Sequence, residues 1–265
     1  MKPSTKLPRS PLALVVAQVR FSPVEDIQQY VPAIKEELKT SGYPCPEQSA
    51  VQQVTVMGGQ GFQVSQVSQW HFADKKKQNN IVLTQNSISV NTVNYDTFDV
   101  FLPKVLEAMG KISPILNLPE FVALERIGLR YANWIYKLDN VAPEKMIKPE
   151  YTGGFLDAGD EVLLRQMIVE RKTSVGAVRT IIFKPNDISA VLGDFQSIRL
   201  NQPKFTQGND FLILDMDHAK TVPNEDFAMD YIESSFRSLH DEVNTLFFKT
   251  IPTENAIAIW GKEGE

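Results

Sequence analysis

The sequence predicts an α+β fold: a duplicated β-α-β-β-β-β-α unit whose long helices lie on one face of a curved antiparallel sheet. Three observations carry this. Short β-branched and aromatic runs separated by turn residues fill residues 51–92 and much of 162–217, which is the pattern of an antiparallel meander. Two long helical stripes, one near Phe98 and one from about Asn224, close the two halves. Finally, Ala17-Gln18-Val19-Arg20-Phe21 recurs 110 residues later as Ile127-Gly128-Leu129-Arg130-Tyr131, with arginine and then an aromatic residue in register.

The elements follow in order. Leu12 to Phe21 alternates as a strand, with Val15, Ala17, Val19 and Phe21 on one face and Leu14, Val16, Gln18 and Arg20 on the other. Ile27, Tyr30, Val31, Ile34 and Leu38 recur at helical spacing, with Pro32 kinking this helix or marking its start and Gly42-Tyr43-Pro44 ending it. Four strands are predicted from VQQVTVM, FQVSQVSQWHF, NIVLTQ and SISVNTV; Gly58-Gly59-Gln60-Gly61 and the lysine triplet Lys75-Lys76-Lys77 read as hairpin tips. Asp96, with Asp99 three residues on, caps a helix whose stripe is Phe98, Phe101, Leu102, Val105, Met109, Ile112 and Leu116.

The second half opens on a strand from Phe121 to Lys137, with Ile127, Leu129, Tyr131 and Ile135 on one face, then a weak helix from Pro143 to Lys148. Strands follow at Val162–Arg171 and Ala177–Phe183, a strand pair is expected between Ile188 and Leu200, and another strand spans Asp210–Asp217. A helix from about Asn224 to Phe248 carries Phe227, Ile232, Phe236, Leu239, Val243, Leu246 and Phe247, and a short one from Thr253 packs Ile257 and Trp260. Residues 1–118 and 119–265 are thus read as two α+β halves of one continuous unit. The element order looks like the saddle of the TATA-box-binding fold, an analogy of topology that brings no DNA-binding activity with it.

Composition narrows the function classes. A chain of 265 residues, 43% hydrophobic and 22% charged, with 14 Gly and 16 Pro, has the makings of a globular core. A net charge of −5 argues against a broadly basic nucleic-acid-coating surface. Cys45 is the single cysteine, so disulfides and Cys-rich zinc sites are excluded. The apolar stretch from Pro11 to Ala17 is too short for a secretion signal, and no run reaches the roughly 20 residues of a membrane span. A cytoplasmic protein without a membrane or a cofactor is expected.

Candidate chemistry is sparse. The chain carries no Gly-x-Ser-x-Gly elbow, phosphate loop or Gly-x-Gly-x-x-Gly. His71, between Trp70 and Phe72, reads as a surface or edge histidine, and His240 as a hydrogen-bonded residue at the core margin. Asp215, Asp217 and His218 form a weak candidate metal site: on a strand the two carboxylates share a face about 7 Å apart, but no metal-binding spacing accompanies them, and a strand end passing into a polar turn explains them as well. Gln18, Arg20, Arg126, Arg130 and Trp134 share the face opposite the apolar one. They are the candidate binding residues, suited to an acidic partner, phosphates or a peptide; the bland alternative is pairing with cross-strand acids on an exposed sheet.

A resemblance then emerges from Gln18-Val19-Arg20-Phe21-Ser22-Pro23, Trp70-x-Phe72 with Ile81-Val82-Leu83-Thr84, Tyr95-x-x-Phe98, Arg126-Ile127-Gly128-Leu129-Arg130-Tyr131-x-Asn133, Leu214-Asp215-Met216-Asp217, and Leu239-His240-x-x-Val243 through Phe247 to Trp260-Gly261. Together they resemble a sporadically distributed prokaryotic family of about 250 residues with no assigned function. The resemblance implies a stand-alone cytoplasmic bacterial protein with an accessory, mobile-element or defence-associated role, and no catalytic residues to carry over. The expected function is a non-enzymatic interaction protein that binds a protein partner, in an immunity, antitoxin-like or phage-defence setting, with homodimerisation open. The first alternative is a nucleic-acid or nucleotide binder using the strand arginines. The second is a metal-dependent hydrolase around Asp215, Asp217 and His218.

Overall fold

Alternation builds the centre of the molecule. In the computed structural model, which describes residues 7–57, 61–152, 164–185, 198–201 and 211–262, Leu12–Phe21 forms β1 and buries Val15, Ala17, Val19 and Phe21 completely or nearly so. It pairs antiparallel with β6 (Ala123–Tyr136), Val19 opposite Ile127 and Ala17 opposite Leu129. Outward from β1 lie β5 (Ser87–Thr92), β4 (Asn79–Thr84), β3 (Gly61–Ala73) and β2 (Cys45–Met57); outward from β6 lie β9 (Phe211–Asp226), β8 (Ala177–Pro185) and β7 (Leu164–Lys172). Among the described residues this is one nine-stranded sheet with every pairing antiparallel. The fold is mixed α+β, and both halves of the chain share that sheet.

Helices cover one face. α1 (Val31–Thr40) carries Pro32 in its first turn, where a missing N–H costs nothing. α2 (Phe98–Leu116) buries the whole expected stripe from Phe98 to Leu116, and α5 (Met229–Lys249) buries Ile232, Phe236, Leu239 and Val243. Their apolar faces meet Val19, Phe21, Ile81, Ile88 and Ile127 in the main core. Burying side chains of this size is worth roughly 1.5–3 kcal/mol each. Short α3 (Leu118–Phe121) and α4 (Pro149–Thr152) are connectors. α6 (Glu254–Trp260) is capped by Thr253, whose hydroxyl accepts the Ala256 N–H at 3.1 Å, and it packs Trp260 against Phe247.

Several expectations change. β9 runs on to Asp226, because its pairing with β6 continues to Ala123 and keeps residues 221–226 extended. The last long helix therefore starts at Met229 rather than Asn224. Thr97, not Asp96, is the N-cap residue of α2, and no side chain bonds the cap. Pro143–Met146 forms a 3-10 turn in place of a longer helix. The Gly58-Gly59-Gln60 tip and most of the strand pair expected between Ile188 and Leu200 lie outside the described residues. The lysine triplet does sit at a hairpin tip between β3 and β4, where the Asp74 carboxylate accepts the N–H groups of Gln78 and Asn79.

The second sheet face is not bare. Residues 198–201 lie against it: Asn80 Nδ2 donates to the Ile198 carbonyl at 2.5 Å, and the Asn201 N–H donates to that of Lys77 at 2.8 Å. Leu200 packs with Leu14, Trp134 and Ile213 in a separate cluster. His71, on the same face, is 2% exposed and bonds Ser49 Oγ through Nε2; it is a buried histidine, not a surface one, because its strand lies inside the sheet. At the β7–β8 turn, a Cβ on Gly176 would come within 2.1 Å of the Ala219 carbonyl oxygen, so this close backbone approach requires glycine.

Candidate functional site

Alternation along β6 sends its residues to two different places. The even-numbered Arg126 and Arg130 project onto the face away from the helices, while the odd-numbered Tyr131 and Asn133 point toward the helix layer.

On the outer face Arg126 and Arg130 each have an acid. Arg130 holds Asp215 through Nε (2.9 and 3.1 Å) and Nη2 (2.6 Å). Arg126 reaches Asp217 through Nη2 at 2.8 and 3.0 Å, and its Nη1 donates to Gln18 Oε1 at 3.2 Å. Gln18 in turn donates to Ser89 Oγ at 3.0 Å. The Arg126 side chain lies flat over Gly128, where a Cβ would stand 2.5 Å from its Nη1; glycine there lets the guanidinium cross to Asp217. Arg20, directly opposite Arg126 across the β1–β6 pair, has no hydrogen-bond or ion-pair partner among the described residues. Trp134 is 2% exposed and packed under Leu200, which takes it out of any accessible surface.

The three candidate metal residues do not converge. Asp215 and Asp217 face outward with the arginines, whereas His218 faces inward, fully buried, with Nδ1 against the Leu239 carbonyl and Nε2 against Thr173 Oγ1, both at 2.9 Å. The expected strand end is a strand interior, since β9 continues past His218. Among the described residues, no three His, Cys, Asp or Glu side chains are grouped to hold a metal ion.

The inward face has a cavity of about 110 Å³ where β1, β6, α2 and α5 meet. Helical spacing places His240, Val243, Asn244 and Phe247 of α5 along one wall. Tyr131 and Asn133 of β6, with Met216 of β9, form the floor; Tyr95 and Phe98, at the entry to α2, form another wall; Leu7 and Leu12 close the side nearest the amino-terminal segment. The Tyr131 hydroxyl is 2.8 Å from His240 Nδ1 and also hydrogen-bonds Tyr95. The His240 ring stacks on Phe98 with centroids 4.0 Å apart and planes 4° from parallel. Tyr95 meets Tyr131 edge to face at 5.9 Å, a favourable ring geometry.

Burial governs the electrostatics here. Desolvation pushes the His240 imidazole down to about 4, although Asp241 and Asp99 oppose this. It pushes Tyr95 up to about 12 and Tyr131 well above the ordinary phenol value. All three groups are neutral near pH 7 and far from the matched values that efficient proton transfer needs. The arrangement suits binding: apolar and aromatic walls with a few fixed hydrogen-bonding groups.

Tyr95, Phe98, Tyr131, Asn133, Met216, His240, Val243 and Phe247 all belong to segments singled out in the sequence. The structure brings these segments, spread over 150 residues of chain, around one cavity. The outer-face arginines drew attention in the sequence because charge is conspicuous on a strand; the signal for the cavity was in the residues alternating with them. No family model matches the chain, and no curated protein matches it significantly.

Proposed function

We propose that the chain is a non-enzymatic interaction protein whose recognition site is the Tyr131–His240 cavity, and that its partner is a protein. The observation that carries this reading is the convergence of Tyr95-x-x-Phe98, Tyr131-x-Asn133 and His240-x-x-Val243 on one aromatic-walled cavity with an open mouth. The neutral state of His240, Tyr95 and Tyr131 favours binding over acid–base chemistry. On the outer face Arg126 and Arg130 are paired with Asp217 and Asp215, while Arg20 has no acid among the described residues, and the neutralised pair weakens the nucleic-acid reading. An immunity or phage-defence setting belongs to this proposal through the family resemblance. So does a duplicated origin of the two halves, which the outward strand orders from the β1–β6 pair support.

The full chain, tagged in the cell from which it comes, is expected to capture a protein in near-stoichiometric amount. Because the walls are mainly apolar and aromatic, raising salt from about 50 to 500 mM is expected to leave the complex intact, in contrast to the steep loss that phosphate contacts give. Dispersal of the complex by salt or by nuclease treatment would count against the proposal.

A further inference from the structure

The occupant of the cavity can be narrowed further, on the reading that the cavity is the recognition site. Asn133 is 2% exposed. Its Nδ2 donates to the Leu214 carbonyl at 3.2 Å, its Oδ1 has no hydrogen-bond partner among the described residues, and the residue lines the cavity. A nearly buried carboxamide oxygen of this kind rewards a ligand that brings a donor and penalises one that does not. The other polar groups on the floor are largely occupied with one another, since the Tyr131 hydroxyl is shared between His240 and Tyr95.

The walls add shape and charge. Phe98, Met216, Val243 and Phe247 present flat or apolar surfaces, and the cavity, about 110 Å³ with an open mouth, is smaller than the roughly 150 Å³ apolar cavity that encloses a benzene ring, so a single ring enters it with one edge toward the mouth. Among the described residues no lysine or arginine lines the cavity, and one acid, Asp96, stands beside the α2 entry. An anionic ligand would lose its water without gaining a counter-charge. We infer that the cavity takes an uncharged single aromatic ring bearing one hydrogen-bond donor, the chemistry of a phenol, with Asn133 Oδ1 as the acceptor.

Phenol, anisole and benzoate are the probes, titrated into the full-length protein and followed by calorimetry and by the NMR signals of Tyr131, Asn133 and Phe247. Phenol is expected to bind about tenfold more tightly than anisole, which keeps the ring and lacks the donor, and benzoate more weakly than either. Asn133→Leu is expected to erase the difference between phenol and anisole. Equal binding of the two to the unaltered protein would overturn the inference, whether or not that variant folds; so would tighter binding of benzoate, or no binding of phenol. N-acetyl-tyrosinamide separates the sources of the ring. If it moves the same signals, the cavity admits the ring on a peptide backbone, as the protein-partner reading requires. If phenol binds and the capped tyrosine does not, the ring chemistry stands and the protein-partner reading above falls.

Discussion

Replacing Arg130 with Met is expected to cost about 3–5 kcal/mol of stability, read as a drop in the urea midpoint. The Asp215 side chain is only 9% exposed and takes three short contacts from Arg130. Without the guanidinium a nearly buried carboxylate stands unpaired. The double variant Arg130→Met/Asp215→Leu should recover most of the loss, because removing both charges also removes their desolvation cost. Arg126→Met provides the contrast: its partner Asp217 is 37% exposed, water can take over, and about 1 kcal/mol or less is expected. Equal losses in Arg126→Met and Arg130→Met would mean that burial does not set the strength of these pairs.

Stability should also fall on mild acidification, with His240 as the main cause. Its folded value of about 4 lies below the ordinary 6.5, so between these values the unfolded chain binds a proton that the folded one does not. The penalty is absent above about pH 6.5, grows as pH falls, and is complete below about 4, reaching roughly 3 kcal/mol at about 1.4 kcal/mol per unit. Burial lowers His71 and His218 too, so they act in the same direction. The exposed Asp139, held down to about 2 by Arg9 and Lys262, contributes only below its ordinary 3.8 and so leaves this window to the histidines. In His240→Phe the slope of stability between pH 6.5 and 4 should be markedly shallower than in the unaltered protein. An unchanged slope would remove His240 as the cause.

The core of this fold was legible because period and burial coincide. Val15 to Phe21 alternates at period two, and Phe98 to Leu116 repeats at helical spacing, and both stripes are buried as their spacing requires. Boundaries were less legible where pairing with a distant strand decides them. Nothing local to Thr221–Asp226 announces a strand; its extension follows from Leu124 and Ala123 lying alongside. The environments of Trp134 and His71 were hidden for a related reason, since residues more than 60 positions away bury the one and interior strand pairing buries the other. The arginines and aspartates were each visible, but their pairing depends on the β6–β9 register, which spacing within one strand does not encode. The cavity was legible in its parts alone: a strand supplies Tyr131 and Asn133, a helix supplies His240 to Phe247, and only packing joins them.

The most direct test fills the cavity and compares it with the outer face. Val243 is 3% exposed and lines the cavity, so Val243→Phe puts a ring where a ligand would sit, at an overpacking cost of about 1–3 kcal/mol. Arg20→Ala removes the outer-face guanidinium that has no partner among the described residues. With both variants shown to be folded, the affinity of each for the captured protein partner is the measurement. The account predicts at least a tenfold loss for Val243→Phe and little change for Arg20→Ala; full binding by Val243→Phe together with loss in Arg20→Ala would contradict it.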